Sequence, residues 1–331
     1  MNLQQILDIA YINLLSPMIL FFLLGILAVL VNSDLKVPAA LYNGYTMIIL
    51  FTIGIKGGVE LRSVSFLEMI PTIVAAVVLS ILMLFISLFV LHKLYAYTYT
   101  DSLAVAAHYG SVSAVTFIAG LAFLDKFGVP YESYMSAVLV IMEGPAIILA
   151  IVLYKLHSRK QGNAVANPNA SIKNVIKEAF FGKSIFLLLG GIFIGLVAHR
   201  DGLLKIQPLF GDLFYGILCV FLLHMGMVAT LSIIRMKNIR LRSFLFAFIL
   251  PVIGGGLGVL TGNLIGLSIG GATMLAVLAG SASYIAAPAA IEHAIPEANS
   301  GLTLGSALGL TLPFNLIVGI PLYFWFATLL G

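Results

Sequence analysis

The sequence predicts an all-α polytopic membrane protein, with ten transmembrane helices in a 5+5 inverted repeat and helices four and nine broken in mid-span. Three observations predict it. Hydrophobic residues fill 61% of the 331 positions and charged residues 9%, against about 25% charged in a soluble chain, and the mean hydropathy is +1.12. Apolar stretches near spanning length, about 20 residues, form two sets of five around one polar stretch. A short phrase is stated twice, as Gly110-Ser-Val-Ser-Ala and as Gly280-Ser-Ala-Ser-Tyr, each time inside one of those stretches.

The first repeat, residues 1–157, carries helix one over about 17–31, helix two over 39–59, helix three over 66–91, helix four over 102–124 and helix five over 134–156. Residues 158–183 form a polar linker. The second repeat, 184–331, carries helix six over about 185–198, seven over 209–233, eight over 244–267, nine over 273–295 and ten over 302–329. The repeats match beyond the phrase. Ser65-Phe-Leu with Pro71 opens helix three, and Ser243-Phe-Leu with Pro251 opens helix eight. Lys56 and Gly58 correspond to His224 and Gly226, and Glu143-Gly-Pro corresponds roughly to Pro313-Phe-Asn. Five is odd, so the second repeat starts from the opposite face of the membrane and runs inverted.

Lysine and arginine orient the chain. With the N-terminus outside, inner loops hold twelve of the 17 basic residues, outer loops hold Arg62, Lys126, Arg200 and Lys205, and Lys56 lies within helix two. Both termini are therefore expected outside a plasma (bacterial inner) membrane, with the linker in the cytoplasm. Ser171 could cap a short helix whose stripe is Ile172, Val175, Ile176, Ala179 and Phe180, with Lys173, Lys177 and Glu178 off it. That pattern fits a basic amphipathic helix on the inner leaflet; a plain solvated connector and a docking surface for a regulator are the other two readings.

Several classes are excluded. The net charge of +4 is spread over loops, which argues against a nucleic-acid surface. Cys219 is the only cysteine, so no intrachain disulfide forms. No basic residue precedes the first apolar segment, so no cleaved signal peptide is expected. A phosphate-binding GxxxxGK loop is absent, and so is a His-Glu cluster with zinc spacing. No enzyme and no cofactor are expected.

The two phrases carry the candidate site. A break inside a spanning helix is tolerated only where protein or a wet cavity satisfies the freed backbone groups, and paired breaks in matching halves point to a transporter's binding site. The half-helix after each break presents unpaired N–H groups and the positive end of its dipole, which suits an anion. Gly110, Ser111, Ser113, Gly280, Ser281 and Ser283 are the candidate substrate residues, with Thr116 beside them; Pro288 suits the start of the second half-helix. One such phrase alone reads as a small-residue packing motif; two at matching places favour binding.

Glu143 is an ionisable residue at membrane depth, where a carboxylate of this kind costs about 2.5–3.5 kcal/mol on insertion scales. Sodium wants hard oxygen ligands, and Glu143, Asn315, Ser113 and Ser283 could supply them. An ion pair with Lys56 and a proton-carrying carboxyl are the other two readings of Glu143. Lys56 itself reads as a residue that snorkels to an interface, and His108 and His224 as hydrogen-bonded structural histidines. All six arginines lie in or near loops. Arginine forks grip phosphates and dicarboxylates, so their absence at depth favours a small monovalent anion.

These strings carry a family resemblance. Gly54-Ile-Lys-Gly-Gly-Val-Glu-Leu, His108-Tyr-Gly-Ser-Val-Ser-Ala, Gly280-Ser-Ala-Ser-Tyr-Ile-Ala-Ala-Pro-Ala, Ile295-Pro-Glu-Ala-Asn and Leu312-Pro-Phe-Asn-Leu-Ile-Val-Gly-Ile-Pro-Leu-Tyr resemble the SbtA-type sodium-dependent bicarbonate transporters over nearly the whole length. The resemblance implies a bile-acid-symporter-like fold, with a gate part from helices 1, 2, 6 and 7 and a core part from helices 3–5 and 8–10. It implies sodium-coupled symport of bicarbonate, a homotrimer, and a small PII-like regulator, SbtB, at the cytoplasmic side. Glu143 departs from the family pattern, which has Asp there, and the linker is short. A symporter of another small organic anion and a non-transporting membrane sensor or scaffold are the alternative classes.

Overall fold

The computed structural model describes residues 11–160, 183–235 and 245–331, and these are helical with no strand among them. The amphipathic stripe at 172–180 lies outside the described residues. The first helix, α1 (Pro17–Leu30), starts at Ser16, whose hydroxyl accepts from the Ile19 amide, with Pro17 at the first position, where a missing N–H costs nothing. Next come α2 (Ala39–Leu61) and α3 (Phe66–Phe89), the latter running into a wide turn over Val90–Leu94. The fourth segment is split into α4a (Tyr99–Gly110) and α4b (Ala114–Lys126), the fifth into α5a (Met135–Glu143) and α5b (Pro145–Lys160).

The second half runs through α6 (Lys183–Val197), α7 (Phe214–Arg235), α8 (Phe246–Leu264), α9a (Ile269–Ala279) and α9b (Ala286–Ala294). The last segment, α10, is a chain of short pieces. Ser300–Leu304, Leu312–Phe314 and Ile320–Leu330 are α-helical, with wide π turns between them at Gly305–Thr311 and Asn315–Gly319. Pro313 and Pro321 lack the N–H an α-helix needs, so the ladder re-registers around them.

Seven of the described helices are long and apolar enough to cross a membrane, and three shorter apolar helices cover Pro17–Leu30, Ile185–Val197 and Ile269–Ala279. The chain is an integral membrane protein. Helices lie at each expected segment, seven of them of spanning length, with differences at their edges. The loop expected before helix seven holds an exposed amphipathic helix, Arg200–Gln207, and the expected start of helix seven is a π turn, Pro208–Asp212, so the α-helix begins at Phe214. Helix five is interrupted at Gly144, and α9a begins at Ile269, four residues before the expected start.

Two helix pairs cross in the same way. On α1 and α7, a Cβ at Gly25 would strike Leu223 O and approach Met227 N to 3.1 Å, and one at Gly226 would strike Phe22 O. On α2 and α6, a Cβ at Gly195 would strike Ile55 O and approach Val59 N to 2.9 Å, and one at Gly58 would strike Ile192 O. Backbones this close need glycine on both sides, the small-residue contact of membrane helices. The α2/α6 pair is parallel. Lys183 Nζ donates to Asn43 Oδ1 (2.9 Å) at one end, and the Arg62 guanidinium donates to Gly195 O and to Ala198 O (2.6 Å) at the other, capping the last carbonyls of α6. Meanwhile α3 packs on α4a as α8 packs on α9a.

Candidate functional site

The two broken helices cross at their breaks and supply each other's missing hydrogen bonds. The Ser113 amide donates to Ser281 Oγ (2.9 Å) and the Ser283 amide to His108 O (2.8 Å). His108 Nδ1 lies 2.6 Å from Ser283 O, and a carbonyl only accepts, so Nδ1 carries a proton. The carbonyls released at the ends of the first half-helices are held from behind: Gly110 O accepts from Ser80 Oγ on α3 (2.7 Å), and Gly280 O accepts from Asn315 Nδ2 on α10 (2.9 Å). This meets the requirement that backbone groups at membrane depth find partners.

After each break a new half-helix begins, and its first residues face a common cavity. Ser113 caps α4b by accepting from the Thr116 amide (3.1 Å) and hydroxyl (3.0 Å). Ser283 accepts from the Ala287 amide (3.1 Å) in the first turn of α9b. Val112, Ser113, Ala114, Glu143, Ser283, Tyr284 and Ile285 line a cavity of about 10 Å³, room for about one water-sized body. Two helix N-termini therefore converge on it, with one carboxylate.

The structure divides the expected site residues by what their hydroxyl protons do. Ser111 Oγ donates to Glu143 O (2.9 Å) and Ser281 Oγ to Leu278 O (2.8 Å); both protons are spent on backbone, and neither residue lines the cavity. Ser113 and Ser283 accept through Oγ and keep a proton to offer. Glu143 lines the cavity and, among the described residues, forms no ion pair within 4 Å. The Lys56–Glu143 pair therefore does not form: Lys56 stands in a different cleft, over the Phe214 ring at 5.0 Å.

Gly110 and Gly280 do not turn the chain. Neither has positive φ. Each is small because a neighbour presses on it: a Cβ at Gly110 would lie 2.5 Å from Ala146 Cβ and 2.9 Å from Ser80 O, and one at Gly280 would lie 2.7 Å from the Tyr323 hydroxyl and 2.8 Å from Pro251 O. Asn315 stands in that same wall. Its Nδ2 holds Gly280 O and its Oδ1 accepts from Tyr323 Oη (2.7 Å), whose proton is shared with Pro251 O (3.0 Å). Asn315 thus reaches the site through the Gly280 carbonyl and does not line the cavity.

Tyr284 is the site residue that sequence reasoning passed over. It lines the cavity, and its buried hydroxyl has no hydrogen-bond partner. Ser113 lies close to it, but no bond of normal geometry joins the two. Buried polar atoms are nearly always paired, so an unpaired hydroxyl facing a cavity marks a place for a ligand atom. Its signal was its position as the last residue of the second phrase, opposite Ala114 of the first.

A wider cleft, about 470 Å³, opens between α1, α2, α4b and the start of α7. Ile118 lines it, one helical turn beyond Ala114, so the cleft ends close to the cavity. The family model described as the Na+-dependent bicarbonate transporter superfamily matches residues 17–328. No curated protein matches the chain.

Proposed function

The chain belongs to the Na+-dependent bicarbonate transporter superfamily, and from that premise we propose that it is a sodium-coupled symporter that takes up bicarbonate through the crossing of α4 and α9. The observation that carries this is the cavity where two helix N-termini meet one unpaired carboxylate. Helix N-termini and hydroxyl protons suit an anion; carboxylate and hydroxyl oxygens suit a hard cation. A site with both features binds an ion pair better than either ion alone, which is coupling.

In this reading Glu143, with oxygens of Ser113 and Ser283, takes sodium. The N-terminal ends of α4b and α9b, with the hydroxyl protons of Ser113 and Ser283, take the anion, and Tyr284 adds a hydroxyl. Ser111, Ser281 and Asn315 hold the freed carbonyls in place, Asn315 acting on sodium through Gly280 O. The cavity has room for one sodium-sized ion, so the anion site requires the core to widen or to meet the cleft at Ile118.

The fold we propose is the 5+5 inverted repeat, supported by the matching glycine crossings of α1/α7 and α2/α6 and by the two breaks at equivalent places. A parallel α2/α6 pair requires an odd number of crossings between them, which α3, α4 and α5 supply. Helices 1, 2, 6 and 7 would form the gate and the rest the core, in a trimer in the plasma membrane with both termini outside. The test is uptake of labelled bicarbonate by purified protein in proteoliposomes. An inward sodium gradient should drive accumulation and a potassium gradient should not. Uptake indifferent to sodium, or uptake only of small organic acids, would replace this reading.

A further inference from the structure

We propose that the cleft beside Lys56 is a capture site for small anions, separate from the cavity at the two breaks, with the Lys56 ammonium supplying its charge. That the captured anion is the transported one rests on the reading above. Lys56 lies five residues before the end of α2 at Leu61, inside a spanning helix. Among the described residues it has no carboxylate within 4 Å, and its ammonium lies over the Phe214 ring. A lysine at that depth is costly unless water or a counter-ion reaches it, and here it lines an open cleft of about 470 Å³.

The other charged groups facing the cleft sit at helix ends. Glu60 is one turn further along α2, and Asp125 and Lys126 close α4b. Lys126 Nζ is committed to Ile12 O (3.0 Å), and Asp125 accepts from Tyr131 Oη (3.3 Å). Deeper in, the walls are Met18, Ile53, Ile118 and Phe123. Low-dielectric walls focus the field of a charge lodged between them. The start of α1, Ser16 to Met18, also lines the cleft, so the positive end of a 14-residue helix acts in the same direction as Lys56. An anion held there would stand beside Ile118, a turn from the start of α4b.

The test uses a cysteine at Ala122, a half-buried cleft residue; the native Cys219 is buried. The rates at which an anionic and a cationic methanethiosulfonate modify Ala122→Cys report the local potential without any transport. Adding Lys56→Gln should lower the anionic-to-cationic rate ratio on the order of tenfold, and the change should shrink at high salt. Lys56→Arg should keep the ratio. In bicarbonate uptake, Lys56→Gln should raise KM on the order of fivefold with maximal rate retained. An unchanged reagent ratio would mean Glu60 and Asp125 already cancel the lysine, and would overturn the capture site. So would a loss of maximal rate with KM and ratio unchanged, which would make Lys56 structural. If the ratio falls but even the unmutated protein takes up no bicarbonate, the capture site stands and the transport reading fails.

Discussion

At the scale of single residues, the site turns on which hydroxyl protons are free. Ser111 and Ser281 spend theirs on carbonyls, whereas Ser113, Ser283 and Tyr284 do not. A hydrogen bond to a charged group contributes about 1.5–3 kcal/mol, or roughly 10- to 150-fold in affinity. Tyr284→Phe removes one oxygen and keeps the ring, so bicarbonate affinity by calorimetry should fall about tenfold or more with the thermal midpoint little changed. Equal affinities would mean the hydroxyl faces only water. Glu143→Gln keeps the volume and removes the charge. It should raise the sodium concentration for half-maximal uptake steeply or abolish uptake; normal transport at low sodium would make the carboxylate structural, and uptake driven by a pH gradient without sodium would make it a proton carrier. Sequence drew attention to Ser113, Ser283 and Glu143, which line the cavity, because polar groups stand out in an apolar stretch; for the same reason it also offered Ser111 and Ser281, whose protons are spent on carbonyls. Tyr284 did not stand out, since a tyrosine there reads as core, and Asn315 read as a direct ligand because only coordinates reveal that its amide is already engaged.

At the scale of elements, each break is an accounting problem solved by the crossing helix for the amides and by the helix behind for the carbonyls. The proline in α8 adds a third case. Pro251 has no N–H, so Ala247 O loses its helical donor, and Thr311 Oγ1 replaces it (2.8 Å) while accepting from Tyr109 Oη (2.7 Å). The breaks were legible because Gly-Ser-x-Ser has no place in an uninterrupted membrane helix. The π turns of α10 were not, because wide turns depend on how proline-freed carbonyls find partners across helices. The Arg200–Gln207 helix was also missed, being too polar and short to register as a span. The glycine crossings give a test. Gly58→Ala and Gly226→Ala put a methyl into facing backbone at matching places, and each should lower the thermal midpoint by a similar amount. Gly216→Ala and Gly256→Ala, which meet no atom within 4 Å, should leave it unchanged. A drop for one crossing alone would mean the two pairs are not equivalent.

At the scale of the whole molecule, orientation decides which face of the membrane the Lys56 cleft serves. An inside-negative membrane opposes entry of an anion by about 2.3 kcal/mol per charge per 100 mV, and one sodium moving with bicarbonate cancels that charge. The gradients set the direction of transport whichever way the chain is inserted; insertion decides which face of the membrane the Lys56 cleft, lined by Lys126 at the end of α4b, serves. The apolar segments were legible from hydropathy alone, and the basic residues, twelve in one expected set of loops and four in the other, predict the side. Lys93 follows α3 and Lys205 precedes α7, both exposed, in loops that the ten-span arrangement puts on opposite faces. In intact cells an impermeant maleimide should therefore label a cysteine at Lys205 or at the C-terminal Gly331 and spare one at Lys93, which should react only after the membrane is opened. Labelling of Lys93→Cys alone would turn the protein over and point the Lys56 cleft at the cytoplasm, away from the anion it is proposed to capture. Labelling of both loops from outside would break the count of crossings between them, and with it the inverted repeat.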